Sequence, residues 1–351
     1  MKIFFAVVVI VLLFVIGATL YVYKKSAMFL PALLGICGFP KIKESSYYDE
    51  NGHFRPGTGE DKVGFFMQHP VFGGFKHMFF NVEDNVLKAI APVKYKDFFK
   101  ESFNYLTGLV EKGQARLVSN LYPAEAVKGH PYRSHLTGMF YQGQQGKPLA
   151  IVVPGGGFIS NVTDCEGYPV AMKLHKMGYS VFVVSYPVGR QLGETEQVKQ
   201  GQAAARELTQ VIRYLTEHQK QFSVNMDDYA IFGFSAGGLM TTAYSFANYE
   251  DCCHKNHLPR PKVIFPMYGL DWDIKALPED KGLAVFSIVG RDDEFGFANV
   301  EDKLPELEKV LGKENVSVRI VDGLGHGFGI GNETKVKNWL QEAVIFWEAH
   351  R

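Results

Sequence analysis

The hydrophobic positions of this chain fall into three regimes. From Ile3 to Val22 the residues are almost purely apolar, with Lys2 before them and Lys24-Lys25 after. A run of this length is apolar on every face, which does not suit a helix half-covered by a globular core. It suits a helix crossing a bilayer, which needs about 20 apolar residues. From Lys41 to Lys112 the pattern is mixed. Polar turn signals (Asp49-Glu50-Asn51-Gly52 and Arg55-Pro56-Gly57-Thr58-Gly59) alternate with aromatic stretches such as Phe72-Gly73-Gly74-Phe75. The segment is too apolar for a disordered linker. Asp97 to Val110 has helical spacing, with Phe98, Phe99, Phe103, Leu106 and Val110 apolar.

From Ala115 onward, short apolar runs alternate with helical spacing. Arg116–Val118, Gly138–Tyr141, Leu149–Val153, Tyr179–Val184, Tyr229–Phe232, Val263–Met267, Leu283–Val289 and Val316–Val321 are predicted strands, short enough to be buried. Glu194 to Gln219 is a predicted helix, with Leu208, Val211, Ile212 and Leu215 on one face. A last helix carries Val336, Trp339, Leu340, Ala343, Val344 and Trp347. Strands alternating with helices predict a mainly parallel sheet with helices on both faces. The expected organisation is therefore a membrane anchor or signal peptide over residues 1–25, an N-terminal extension packed on or capping the catalytic domain over 26–115, and an α/β catalytic domain over 116–351.

Composition changes this picture little. The chain has 351 residues, 46% hydrophobic and 21% charged, with formal net charge +0. A neutral chain offers nothing to attract nucleic acid. Cys37, Cys165, Cys252 and Cys253 have no zinc or redox spacing and read as free thiols. His53, His69 and His77 have no metal-ligand spacing either. A cleaved signal peptide competes with the anchor. Its apolar core is ordinarily shorter and ends in small residues, whereas Leu20-Tyr21-Val22-Tyr23-Lys24-Lys25 closes this run without an Ala-x-Ala, and its tyrosines suit a membrane interface. A single-pass anchor through residues 3–22 is the preferred expectation. Lys24, Lys25, Lys41 and Lys43 after the span favour a cytoplasmic catalytic domain, with secretion as the alternative.

The candidate chemistry lies at the ends of the predicted strands, where sites of parallel sheets form. Ile231-Phe232-Gly233-Phe234-Ser235-Ala236-Gly237-Gly238 runs from a strand through Gly-x-Ser-x-Gly into a helix. This is the pattern of a nucleophile elbow. A serine hydroxyl is a weak nucleophile until a base activates it. Pro154-Gly155-Gly156-Gly157-Phe158 follows the Leu149 strand. Gly156 or Gly157 can offer one bare N–H to a developing oxyanion, and Ala236 the other. Neither a Gly-x-Gly-x-x-Gly nor a Gly-Lys-Ser/Thr phosphate loop is present. Val289-Gly290-Arg291-Asp292-Asp293-Glu294 supplies an acid after a later strand, and Asp292 and Asp293 both qualify by type. Arg291 is expected to pair with Asp292. Gly323-Leu324-Gly325-His326-Gly327-Phe328-Gly329 supplies a histidine, expected as a mobile, exposed imidazole able to act as a general base. The order Ser…Asp…His, each after its own strand, is the α/β-hydrolase order.

From about Leu149 to the C-terminus the chain resembles the α/β-hydrolase esterase/lipase superfamily, and within it acetyl-esterase-like enzymes, some of which deacetylate hemicellulose. The resemblance rests on Pro154-Gly-Gly-Gly-Phe158, Asp164-Cys165-Glu166-Gly167-Tyr168-Pro169-Val170-Ala171, Gly178-Tyr179-Ser180-Val181-Phe182 and Gly233-Phe-Ser-Ala-Gly-Gly238. It implies an α/β-hydrolase fold, Ser235 as nucleophile, His326 as base, Asp293 as orienter, and neither metal nor organic cofactor. Relatives commonly place the acid three positions after a strand-ending glycine, and counting from Gly290 that position is Asp293. Leu239 stands where relatives often have histidine, Pro154 where lipase-like relatives have His-Gly-Gly-Gly, and Glu294-Phe295-Gly296-Phe297 lacks the usual Val-Pro after the acid.

The expected function is hydrolysis of carboxylic esters, short-acyl or acetyl esters of a small-molecule or carbohydrate alcohol, through a Ser-His-Asp triad and an acyl-enzyme. A serine peptidase of the same fold and a non-catalytic membrane-tethered binding protein are the alternatives.

Overall fold

A computed structural model describes residues 96–158, 161–188, 197–247, 253–271 and 282–351. The expected anchor over residues 3–22, most of the N-terminal extension, Cys37, Cys252, His53, His69 and His77 lie outside the described residues. Among the described residues, no helix is long and apolar enough to cross a membrane. Glu101 to Arg351 belong to one compact unit, which contains all of the sheet.

Among the described residues, eight strands form one sheet: β1 Ala115–Val118, β2 Thr137–Tyr141, β3 Leu149–Val153, β4 Ser180–Ser185, β5 Tyr229–Phe234, β6 Val263–Met267, β7 Ala284–Gly290 and β8 Val316–Val321. The spatial order is β1-β2-β4-β3-β5-β6-β7-β8. β1 and β2 pair antiparallel, as do β2 and β4, and every later pair is parallel. In β2 to β7 every residue is buried, as unbroken apolar runs in a covered parallel sheet require. β8, at the sheet edge, is only half-buried. Tyr179 and Leu283, read as strand residues, sit just before β4 and β7.

The longer helices among the described residues are α1 Lys96–Glu111, α2 Tyr168–Lys176, α3 Gln197–Glu217, α4 Ala236–Thr242, α5 Leu304–Leu311 and α6 Trp339–Ala349. Alternation along the strands sends Ile151, Val153, Ile231, Ile264 and Val285 to one face. There they share a core with Leu208, Val211, Ile212 and Leu215 of α3, Met240 of α4 and Leu307 of α5. On the other face, Phe232 and Phe265 meet Trp347 of α6, and Phe234 meets Trp339. Burying side chains of this size contributes roughly 1.5–3 kcal/mol each. α1 packs here too, with Phe103 edge-on to Tyr168 of α2.

α6 begins at Trp339, three residues later than the apolar spacing suggests. Val336 is buried ahead of it in a turn-rich stretch, where its N–H is taken by Thr334 Oγ1 instead of by a helical carbonyl.

Candidate active site

Ser235 stands between β5 and α4 with φ 49° and ψ −117°. A serine in this region stores strain, of order 1–3 kcal/mol. It is held there from both sides. Ser235 N–H donates to Met267 O at 3.0 Å, tying the elbow to the end of β6, and Leu239 N–H donates back to Ser235 O at 3.0 Å. The backbone after the elbow is so close to β3 that a Cβ on Gly237 would lie 2.0 Å from Val153 O. No side chain fits there, which is the physical reason for a glycine two residues after the serine.

His326 lies on the loop after β8 and Asp293 on the loop after β7. His326 Nε2 is 2.8 Å from Ser235 Oγ, and His326 Nδ1 is 2.7 Å from Asp293 Oδ2. The second oxygen of Asp293 accepts the N–H of Phe295 at 2.9 Å, so both lone-pair edges are used and the carboxylate cannot rotate freely. Nδ1 facing a carboxylate and Nε2 facing a hydroxyl is the arrangement that leaves Nε2 as acceptor.

The imidazole is enclosed, which corrects the expectation of an exposed one. Its side chain is 3% accessible, that of Asp293 0%. Tyr268 and Phe295 pack edge-on against it, with ring centroids 4.9 and 4.6 Å away. Two aromatic walls fix its plane; Phe295 is itself 51% exposed.

Asp292 is exposed and does not reach the histidine through any hydrogen bond of its side chain. Arg291, expected to pair with it, turns instead to Glu301 and Asp322. The Glu294 carboxylate accepts only a long 3.5 Å contact from the His326 N–H.

The glycine loop after β3 turns sharply, with φ 123° at Gly156 and 62° at Gly157. Ala236 is the first residue of α4, where a helix leaves an N–H without an intrahelical acceptor. Gly155 makes the closest approach. A Cβ there would lie 2.8 Å from Ser235 Cβ and 2.7 Å from Phe234 O.

Two residues near this site carried no role in the sequence reading. Glu166, on a π-helical turn over Thr163–Gly167, is buried, and its Oε2 accepts the Gly155 N–H at 2.7 Å. Tyr268, just past β6, has φ 36° and donates its hydroxyl to Glu166 Oε1 at 2.7 Å. Burial raises the Glu166 carboxyl above its ordinary value, and the hydrogen bonds from Tyr268 and Gly155 and the nearby His326 offset only part of this. Nothing in the spacing of Glu166 separates it from a surface acid. Tyr268 had one signal, its place at the carboxyl end of the strand beside the elbow. Among the described residues, no group of three or more His, Cys, Asp or Glu could hold a metal ion.

Residues 140–301 match the BD-FAE family model. An acetylxylan esterase of Xylanibacter ruminicola is 34% identical over 95 residues, covering 26% of this chain and 18% of that protein. The match thus spans under a fifth of that relative's length. The apo form of Thermogutta terrifontis esterase 2 superposes with a TM-score of 0.53 at 15% identity, over 67% of this chain and 94% of that one. A propionate-bound structure of the Thermogutta terrifontis enzyme gives 0.52 at 15% identity, over 67% and 94%. These structural likenesses are likenesses of fold.

Proposed function

We propose that this chain, an α/β-hydrolase with a BD-FAE match over residues 140–301, is a serine hydrolase of carboxylic esters. The observation that carries the reading is the continuous line from Asp293 through His326 to Ser235, 2.7 and 2.8 Å long.

Ser235 Oγ adds to the ester carbonyl as His326 Nε2 takes its proton. Asp293 holds Nδ1–H and stabilises the imidazolium that forms. The oxyanion is met by the Ala236 N–H and by that of Gly156 or Gly157, donors fixed before the reaction begins. Collapse of the tetrahedral intermediate breaks the bond to the alcohol, which leaves with the proton from Nε2. Water then adds to the acyl-enzyme, giving its proton to His326, and the acid departs as Ser235 recovers the proton.

Short acyl groups on a small-molecule or carbohydrate alcohol are the proposed substrates. The acetylxylan esterase relative and the propionate found in the Thermogutta enzyme support that choice. The test is a panel of p-nitrophenyl acetate, butyrate and octanoate, an acetylated xylo-oligosaccharide and a peptide anilide. Acetyl esters should turn over fastest and the anilide not at all. Anilide cleavage without ester cleavage, or no turnover by folded protein, would overturn the reading.

Residues 3–22 are proposed to hold this domain at a membrane as a single-pass anchor, with the catalytic domain on the cytoplasmic side. Their length and uniform apolarity support it. Full-length chain remaining in the supernatant after high-speed centrifugation would remove the anchor.

A further inference from the structure

The buried carboxylate of Glu166 joins three loops that the proposed chemistry needs together. Its Oε2 accepts the N–H of Gly155 on the glycine loop at 2.7 Å. Its Oε1 accepts the hydroxyl of Tyr268, at the end of β6, at 2.7 Å. The same Tyr268 oxygen accepts the N–H of Gly329, on the histidine loop, at 3.2 Å. The Tyr268 ring lies edge-on to His326 at 4.9 Å and to Phe328 at 4.5 Å. Glu166 is 5% exposed and Tyr268 0%. A carboxylate so buried is costly unless donors meet it, and this one meets a donor on each oxygen.

We infer that Glu166 is a positioning residue, which through Gly155 and Tyr268 holds the glycine loop and the histidine loop in register with Ser235. The inference rests on the serine-hydrolase reading above. Gly155 lies directly against the serine side chain, as the 2.8 Å approach of a Cβ there to Ser235 Cβ shows. It also immediately precedes the two glycines proposed to meet the oxyanion. A small shift of Gly155 therefore moves the donors relative to the reacting oxygen, where distances of 2.7–3.1 Å are needed. Neutral substitutes cannot satisfy both partners equally. A glutamine would present an NH₂ either to the Gly155 N–H, which repels it, or to Tyr268, whose hydroxyl would then lose its acceptor.

The experiment compares Glu166→Gln, Glu166→Ala and Tyr268→Phe with wild type in the full chain. Kinetics on p-nitrophenyl acetate are read beside hydrogen exchange of the loops at 154–158 and 323–331. Glu166→Gln is expected to lower kcat roughly 10²-fold, the scale for a misplaced oxyanion donor, while KM moves less than about threefold. Tyr268→Phe keeps the Gly155 contact and should lose about tenfold in kcat, with faster exchange confined to 323–331. A role in packing alone would change melting temperature and leave kcat of the folded variants near wild type. That result, or a change in KM alone, would overturn the inference. Should Glu166→Ala not fold, the two isosteric variants decide it. Hydrogen exchange separates the two readings. If wild type hydrolyses no ester, the serine-hydrolase reading fails, whereas unchanged exchange of both loops in Glu166→Gln refutes the strut whatever the substrate.

Discussion

The strands of the sheet carry two different kinds of charge at their two ends, β3, β4 and β5 at their amino ends and β3 and β7 at their carboxyl ends. At their amino ends, Lys147, Tyr179 and Asp228 gather around Glu348 and Arg351 of the C-terminal segment. The charged side chains there are 20–36% accessible; Glu348 meets Lys147, Tyr179 and Arg351, and Arg351 meets both Glu348 and Asp228. At their carboxyl ends, Glu166 and Asp293 are almost wholly withdrawn from water, and each oxygen of either acid has a single donor. A partly solvated network tolerates the loss of a member, because water and the remaining ions take over. A buried acid with one partner per oxygen has no substitute, and so fixes geometry. The difference separates charge that dresses a surface from charge that orients a reaction.

The largest effect should come from breaking the buried end at its orienter. Asp293→Asn leaves the serine and the glycine loop intact but frees the imidazole to take the wrong tautomer. A loss near 10⁴ in kcat is the precedent in serine proteases. Asp292→Asn, on an exposed residue one position away, should stay within about twofold. Equal losses in both would remove Asp293 from the orienting role.

A smaller contrast lies in two glycines. A Cβ on Gly237 would lie 2.0 Å from Val153 O at the carboxyl end of β3, whereas Gly146, three residues before β3, has open space and φ 84°. Gly237→Ala should therefore lower stability by about 3 kcal/mol or more, beyond the usual range for overpacking, because the obstacle is backbone. Gly146→Ala should cost only the left-handed strain, about 1–2 kcal/mol. Urea midpoints measure both, and equal shifts would mean that the elbow backbone gives way.

The smallest and most diagnostic effect is in pH. Burial lifts the Asp164 carboxyl, near Glu166, from 3.8 to about 7, against hydrogen bonds including one from Cys165. The folded state then holds a proton that the unfolded chain releases, so this stabilisation is lost as pH rises from about 4 to about 7. At the other end, burial of Glu348 is outweighed by hydrogen bonds from Tyr179, Lys147 and Arg351, which bring it from 4.5 to about 2. Its contribution is present above about 4.5 and lost as pH falls towards 2. Asp164→Asn should flatten the stability profile only in the upper window and Glu348→Gln only in the lower. Profiles unchanged by either substitution would contradict the assignment.

The strands from β2 to β7 were legible in the sequence because each is a short, mostly apolar run, and a doubly covered sheet leaves no polar face to blur it. The edge strands β1 and β8 kept enough apolar positions around Arg116, Ser317 and Arg319 to be read as well. Ser235 and His326 were legible because glycines on both sides mark backbone that must pass close or turn sharply. Asp293 was separated from Asp292 mainly through resemblance, since two adjacent acids have the same chemistry until a partner chooses between them. Glu166 and Tyr268 were not legible as site residues. Their meaning comes from partners 11 and 102 positions away, and a lone acid before a helix reads the same whether buried or solvated. The enclosure of His326 depends likewise on Tyr268, which only the tertiary fold brings to it.

The most direct test of the central claim is intact and peptide mass spectrometry after reaction with a fluorophosphonate. Ser235 is predicted to carry one adduct per chain, on the peptide containing Gly233-Phe234-Ser235-Ala236-Gly237, with Ser235→Ala folded but unlabelled. An adduct elsewhere, or a folded wild-type chain that takes none, would contradict Ser235 as the nucleophile.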